Sequence, residues 1–426
     1  MSNINKNTFI ELKQYYDEVL NIDKSTYAST NDEPTPIDCI IEMISKLPEE
    51  LWKNTDIKVL DPCCGNGNFA LPIFFKLLQQ GYTKKFILEN ILEFNDINEK
   101  RLENVKNIFC GDKYNLNITC DDYLSKQYNH KYDLIVANPP YAKILANGKR
   151  ASKNHNLIKD FIEKSLALLK PEGYLLFITP DNWMSYADRN TLIERLTDLQ
   201  IVYLNIHTAK KYFKKIGSSF TWYIIQNCKA YKNIFIEGIW KKKNYSSEVI
   251  SCMQKFIPLL YTATVQNILS KTLHSYHNKF EIKTSSYLHK YTKAKYINAQ
   301  ETDKFKYKLI HTPTQTVYAS IPHIYQEGYK VFISTTDKYQ VFVDNCGMTQ
   351  SIVFILCKNK TEAEKYANIL QHPLYIFINN ICRWGNFNNI RILQSFPIPN
   401  CDCDHKQIYE YFNITDEEIQ YITNNM

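Results

Sequence analysis

Short apolar runs alternate with amphipathic stretches along the first 230 residues. Runs at 58–63, 91–95, 117–120, 132–137, 173–179, 201–206 and 220–226 have the length and the β-branched or aromatic content of buried strands. Between them, 70–80 and 157–169 repeat apolar residues at helical spacing. The second of these ends at Lys170-Pro171-Glu172-Gly173, a stop signal that feeds the next strand. This alternation predicts an α/β fold: a Rossmann-like, mostly parallel sheet of seven strands covered by helices. Beyond about 245 it stops. Residues 249–273 read as a helical linker, and strand-like runs at 330–334, 340–343 and 351–356 precede a short helix at 362–370. A chain of 426 residues is too long for one core. The pattern predicts a first domain over 1–245 and a second, α+β domain over 246–426.

Four of the predicted strand ends carry polar residues with chemical potential. The first run leads into Asp61-Pro62-Cys63-Cys64-Gly65-Asn66-Gly67-Asn68-Phe69. Gly65 and Gly67 let the backbone turn sharply and approach a ligand. A dinucleotide fingerprint would need a third glycine, and a phosphate loop would need Lys-Ser/Thr after the last one. Acidic Asp61 would repel a pyrophosphate but could hold an ammonium, such as that of the methionine moiety of S-adenosylmethionine. Asp96, after the second run, could accept from ribose hydroxyls. Asp122, after the third, could accept from an adenine amine. Asn138-Pro139-Pro140-Tyr141 ends the fourth, where two prolines stiffen an extended turn. There the Asn138 oxygen and the Pro139 carbonyl could accept both hydrogens of a planar amine while Tyr141 covers the attached ring. Each acid alone could be a solvated loop residue, and Asn-Pro-Pro alone could be a plain turn. Together they form one rim of one sheet.

This series, in this order, resembles the S-adenosylmethionine-dependent adenine-N6 DNA methyltransferases, and most resembles their gamma group, the TaqI-like modification enzymes. Thr35-Pro36-Ile37-Asp38, ahead of helical 39–46, is similar to that family's N-terminal cofactor motif. Residues 170–173 through Pro180-Asp181-Asn182-Trp183 resemble its fifth strand and following loop, and Phe213 falls where it places an aromatic on the target base. The resemblance covers residues 27–230. It implies cofactor contacts at Thr35, Pro36, Asp61, Pro62, Cys63, Gly65, Gly67, Asp96, Asp122, Tyr123 and Asn138. It also implies catalysis at Asn138, Pro139, Pro140 and Tyr141, with the base held between Tyr141 and Phe213 and no general base. Cys63 replaces the small residue usual in the glycine loop. The implied substrate is an adenine turned out of double-stranded DNA in a short recognition site, and the implied setting is the modification arm of a type II restriction–modification system.

Charge adds to this picture. The net charge is +7, and residues 210–243 carry nine lysines against one Glu, interleaved with aromatics. That composition suits a nucleic-acid surface or a solvated face. Lys149 and Arg150, in a loop over 142–156 expected to be mobile without DNA, together with Lys214 and Lys215, are candidate phosphate contacts. Arg383 and Asn386, within 383–389, are candidates for reading base edges. The 12 cysteines are scattered as in a reduced intracellular chain, and Cys401-Asp402-Cys403-Asp404-His405 lacks a four-ligand pattern, so no metal is expected. No stretch approaches the roughly 18 apolar residues of a membrane span. The polar start is unlike a signal peptide. A monomer in the bacterial cytoplasm, or in a host-cell interior if viral, is the expectation, with a separate cognate endonuclease as an open second partner. The same site chemistry also fits a protein-glutamine methyltransferase acting on release factors, an RNA adenine-N6 methyltransferase, or a DNA-specificity subunit that has lost catalysis.

Overall fold

All seven expected runs become strands of one sheet in the computed structural model, which describes residues 2–23, 25, 33–141, 157–188, 190–213, 219–336, 338–400 and 405–426. They are β1 (Val59–Asp61), β2 (Leu92–Asn95), β3 (Asn117–Thr119), β4 (Tyr132–Ala137), β5 (Leu169–Pro180), β6 (Leu199–Ile206) and β7 (Phe220–Lys229). The sheet is larger than predicted. A hairpin of β8 (Ile234–Trp240) and β9 (Lys243–Val249) extends it to nine strands, ordered β3-β2-β1-β4-β5-β7-β6-β8-β9. Strands β1 to β5 pair in parallel, whereas β7 runs antiparallel to both β5 and β6. The carboxyl ends of β1 to β4 therefore share one edge, where ligands bind in open α/β sheets.

The helices α1 (Phe9–Tyr15), α2 (Ile37–Ser45), α3 (Ala70–Gln79), α4 (Glu99–Phe109), α5 (Ile158–Leu168) and α6 (Thr191–Asp198) accompany this sheet. Leu134, Val136, Leu176, Ile178, Trp222 and Ile224 from the central strands join Phe74, Phe94 and Phe109 in one buried cluster. Each large side chain so buried contributes about 1.5–3 kcal/mol. The expected stop at 170–173 lies inside β5, as an irregularity in its pairing with β4, and Glu172 there has φ 62°.

The chain divides into two compact units, Met1–Trp183 with Thr191–Gln254, and Met184–Asn190 with Lys255–Met426. The boundary expected at 245/246 falls within β9. Two other expectations also change. The aromatics of 210–243 are mostly sheet residues: Phe220, Trp222 and Tyr223 are buried on β7, and Tyr203 of β6 stacks on Trp222 with ring centroids 4.3 Å apart. The linker over 249–273 is helical only at α7 (Ala263–Lys271), which Thr262 caps. Ahead of it, Pro258 interrupts helical hydrogen bonding, and buried Phe256, Ile257, Leu260 and Tyr261 anchor an irregular segment.

The second unit holds two four-stranded sheets. One has the order β10 (Lys283–Thr284), β17 (Ile352–Leu356), β14 (Lys330–Ser334) and β15 (Val341–Asp344). The other has the order β11 (Ile297–Asn298), β13 (Gln315–Ala319), β12 (Tyr307–Thr312) and β16 (Gly347–Met348). Helices α8 (Lys360–Leu370), α9 (Pro373–Ile381) and α10 (Asp416–Asn425) follow, so the unit is α+β as expected. Among the described residues no helix is long and apolar enough to cross a membrane.

The glycine loop shows how tightly the first unit is built. Gly67 has φ 86°, and a Cβ there would lie 3.1 Å from Phe109 Cε2 and 3.3 Å from the Tyr16 hydroxyl, whereas Gly65, at φ 54°, faces open space. Gly67→Ala is expected to destabilise the protein by about 1–3 kcal/mol, through backbone strain and overpacking together. Gly65→Ala is expected to cost only about 1 kcal/mol. Thermal melts of the two variants compare them, and equal midpoints would rule out the packing component.

Candidate active site

Hydrogen bonds between successive strand ends knit the rim together. Tyr16 donates its hydroxyl to the Asn66 carbonyl at 2.7 Å, and Asn104 Nδ2 donates to Asn66 Oδ1 at 3.0 Å. The Cys64 amide donates to the Asn95 carbonyl at 2.9 Å. Asn95 Nδ2 in turn donates to the carbonyls of Pro62 and Asp121, both at 3.0 Å. Cys63 Sγ lies 3.7 Å from the Asn138 carbonyl. The loop after β1 is thus tied to the ends of β2, β3 and β4. None of Tyr16, Asn95 or Asn104 stood out in the sequence, because each contributes by tertiary position and not by a local motif.

Asp61 closes β1 and is 4% exposed. Neither carboxylate oxygen meets a hydrogen-bond partner among the described residues. Burial pushes its acid well above the ordinary carboxylate range, the nearby Cys63 amide pulls the other way, and the like charge of Asp96 adds to the rise. Thr35, which precedes α2, is also buried with its hydroxyl oxygen unpartnered. Two buried polar groups that lack partners beside a glycine turn fit a ligand carrying an ammonium.

Two of the other acids are committed differently from expectation. Asp96 is buried, and its carboxylate accepts from the Gly65 and Asn98 amides, both at 2.9 Å. It fastens the loop as well as facing the rim. Asp122 is exposed, one oxygen accepting from the Leu124 amide at 3.0 Å. The Tyr123 side chain departs from the cofactor role. It is 2% exposed, its hydroxyl shares a 2.9 Å hydrogen bond with Ser165, and its ring packs on Phe161, because an aromatic after β3 completes the core more favourably than it lines an open rim.

Asn138 follows β4 directly. Its Nδ2 donates to the Glu33 carbonyl at 3.0 Å, and its Oδ1 accepts from the Tyr141 hydroxyl. Pro139 is buried and Pro140 exposed. The Tyr141 ring lies 5.8 Å from Phe220, which lies 4.9 Å from Phe213. Phe213 is only 4% exposed, so in this form it backs the aromatic cluster and does not offer a stacking face. Phe220, unnoticed in the sequence, links the two.

The expected DNA contacts divide similarly. Lys149, Arg150, Lys214 and Lys215, the loop 142–156 and the side chains of 401–405 lie outside the described residues. In the second unit, Arg383 Nη2 donates to the Asn386 carbonyl at 2.7 Å, Asn388 is buried against β14, and Asn389 caps a short helix. This segment spends most of its polar groups on its own shape. Asn386 and Phe387 are exposed at its tip, beside Gly385 with φ 80°.

Residues 43–236 match the family described as Eco57I restriction-modification methylase. The type II methyltransferase M.VspI of Vibrio sp. (strain 343) is 30% identical over 184 residues, covering 40% of this chain and 42% of that protein. M.AccI of Acinetobacter calcoaceticus is 31% identical over 154 residues, covering 32% of this chain and 25% of the relative. The chain thus matches less than half the length of either. An uncharacterized adenine-specific methylase of Mycoplasma pneumoniae is 24% identical over 336 residues, covering 57% of this chain and 78% of that one. Among solved structures, the type IIL restriction-modification enzyme MmeI in complex with DNA superposes with TM-score 0.55 at 10% identity, over 94% of this chain and 67% of its own. The DrdV–DNA complex gives 0.54 at 12% identity, over 82% and 51%. These structural likenesses bear out the α/β fold with a further folded unit, and the sequence matches support the resemblance to adenine-type DNA methyltransferases.

An unpaired buried carboxylate predicts a stability change of definite sign. The raised Asp61 acid loses stability for the fold as pH climbs from the ordinary carboxylate value toward its own. Asp61→Asn should therefore stabilise the ligand-free protein near neutral pH by about 1–2 kcal/mol, an advantage that shrinks in acid. A melting series from pH 4 to 8 checks this. A variant less stable than the parent at pH 8 would show that Asp61 is already satisfied.

Proposed function

We propose that this chain is a site-specific DNA methyltransferase that transfers a methyl group from S-adenosylmethionine to N6 of an adenine turned out of double-stranded DNA. In this reading it has the motif order of the TaqI-like gamma group and serves as the modification arm of a type II restriction–modification system. The observation that carries the proposal is the orientation of Asn138. Its nitrogen donates to the Glu33 carbonyl, so its oxygen, which accepts from the Tyr141 hydroxyl and keeps a second lone pair, is the end that can accept from a guest, on the same edge as a buried, unpartnered acid.

The cofactor, when bound, supplies an electrophilic methyl. Asp61 would hold its ammonium, with Thr35, Pro36, Pro62 and Cys63 around it and the turn at Gly65 and Gly67 beneath. Asp96 would face its ribose and Asp122 its adenine amine. Asn138 Oδ1 and the Pro139 carbonyl accept the two N6 hydrogens of the substrate. That withdraws the nitrogen lone pair from the ring and stabilises the positive charge that develops there. Acceptors placed on developing charge are worth about 10²–10³ in rate each. Tyr141 covers the base, Pro140 stiffens the turn, and Phe213 backs the cluster. The remaining rate comes from alignment, worth up to about 7–11 kcal/mol. No base is needed, because the proton leaves after transfer.

Turning the adenine out costs about a few kcal/mol. The second unit, as the target-recognition domain, together with Lys149, Arg150, Lys214, Lys215, Arg383 and Asn386, would recover this through phosphate and base contacts. A monomer is sufficient for that chemistry, and a separate endonuclease would cut the unmodified site. The exposed amine of a release-factor glutamine would suit the same acceptors, but it gives no role to the second unit.

Incubating duplex DNA with labelled cofactor, followed by nucleoside analysis, should yield N6-methyladenine confined to one short motif. Label found on protein and none on DNA would overturn the proposal. Asn138→Ala should keep cofactor affinity and lose at least about 10²-fold in rate. Tyr141→Phe retains the ring and should place the base as well as the parent, whereas Tyr141→Ala should weaken base binding at least tenfold. Equal losses in both tyrosine variants would assign the effect to the hydroxyl and not to stacking.

A further inference from the structure

The side chain of Asn68 lies one residue beyond the glycine turn and is buried. Its Nδ2 donates to the Thr35 carbonyl at 2.9 Å and to Asn21 Oδ1 at 3.1 Å. Both of its protons are thereby used, on two segments distant in sequence. Two residues before Thr35, the Glu33 carbonyl receives the Nδ2 proton of Asn138 at 3.0 Å. One short stretch, 33–36, therefore accepts from both Asn68 and Asn138. Pro34 and Pro36 stiffen it, since each fixes its own φ and restricts the residue before it.

A carboxamide has two faces of opposite sense, and only its oxygen can accept an amine proton. If the Glu33 carbonyl shifts, Asn138 loses the bond that fixes the sense of its amide; the Tyr141 hydroxyl that remains can donate or accept, so the amide could turn its NH2 to the substrate NH2, two donors face to face. We infer that Asn68 is a positioning residue for the methyl-transfer step: by pinning the Thr35 carbonyl it keeps the Glu33 carbonyl where it orients the Asn138 amide, joining the glycine loop to the acceptor that receives the substrate amine. This rests on the proposed role of Asn138 and deepens it.

The pair of bonds made by Asn68 supplies its own control. Asn68→Ala removes both contacts, whereas Asn21→Ala removes only the contact to the N-terminal segment. Single-turnover methyl transfer at saturating cofactor is expected to slow at least tenfold in Asn68→Ala, with the cofactor Kd within threefold of the parent. Asn21→Ala should stay within twofold in both. A rate recovered fully by more cofactor would overturn the inference, since Asn68 would then serve the cofactor loop alone. Equal slowing in Asn21→Ala would also overturn it, by routing the effect through the N-terminal segment. So would a parental rate in Asn68→Ala. Should the parent protein methylate no DNA at all, the functional proposal fails first, and the side-chain amide NMR resonances of Asn138 still judge this one. They should move, and exchange faster with solvent, in Asn68→Ala but not in Asn21→Ala. An unchanged Asn138 signal would overturn the inference on its own.

Discussion

A primary carboxamide is symmetric in shape and opposite in sense at its two ends, so its usefulness as an acceptor depends on which end is already spoken for. At Asn138 the nitrogen is bonded to a main-chain carbonyl a few residues ahead of α2, more than a hundred positions earlier in the chain. The partner is a backbone atom, which can only accept, so the amide cannot turn over without losing a bond. No pKa has to be tuned for this arrangement, and no proton has to be placed. The rest of the rim can be read as scaffolding that keeps two segments, 33–36 and 138–141, in that relation.

The acid at the end of β1 is the opposite case, a group whose surroundings are incomplete. Burial without a partner is costly for a carboxylate, and the fold tolerates it only because the surrounding loop is tied to three neighbouring strand ends. Strain of this kind is informative. A fold optimised for stability alone would place a neutral side chain at position 61, whereas one that must recognise an ammonium keeps the acid and accepts the penalty until the cation arrives. Thr35, buried with its hydroxyl oxygen unpartnered, fits the same account.

What was legible in the sequence follows from how local each signal is. The seven runs were readable because strands buried on both faces show as continuous apolar segments bounded by turn residues, as at 132–137. The loop at 61–69 and the turn at 138–141 were readable because glycines and prolines carry backbone instructions in their own covalent structure. The β8–β9 hairpin was missed although Ile234, Ile236 and Gly238 alternate inward, because Gly238 interrupts the run and β9 is nearly all polar. Tyr123 and Phe213 were assigned by position, and the packing around Phe161 and Phe220 decided their environment. Asn68 and Tyr16 act on partners 33 and 50 residues away, and no local pattern announces such contacts.

Under the proposed function, the Tyr141 hydroxyl on Asn138 Oδ1 bears on how a purine would enter. In this form one lone pair of the acceptor is already taken, so the amine of the proposed substrate would meet a partly satisfied oxygen and gain only a modest net hydrogen bond. On the same proposal, binding strength would then come chiefly from ring contact, and the acceptor pair would contribute mainly once charge develops on the nitrogen. That division keeps ground-state binding modest while reserving the electrostatic gain for the reacting state. It also means that the acceptors barely distinguish an adenine amine from a glutamine amide. Under the proposed function, discrimination between those substrates would fall to the aromatic cover and to surfaces beyond the rim.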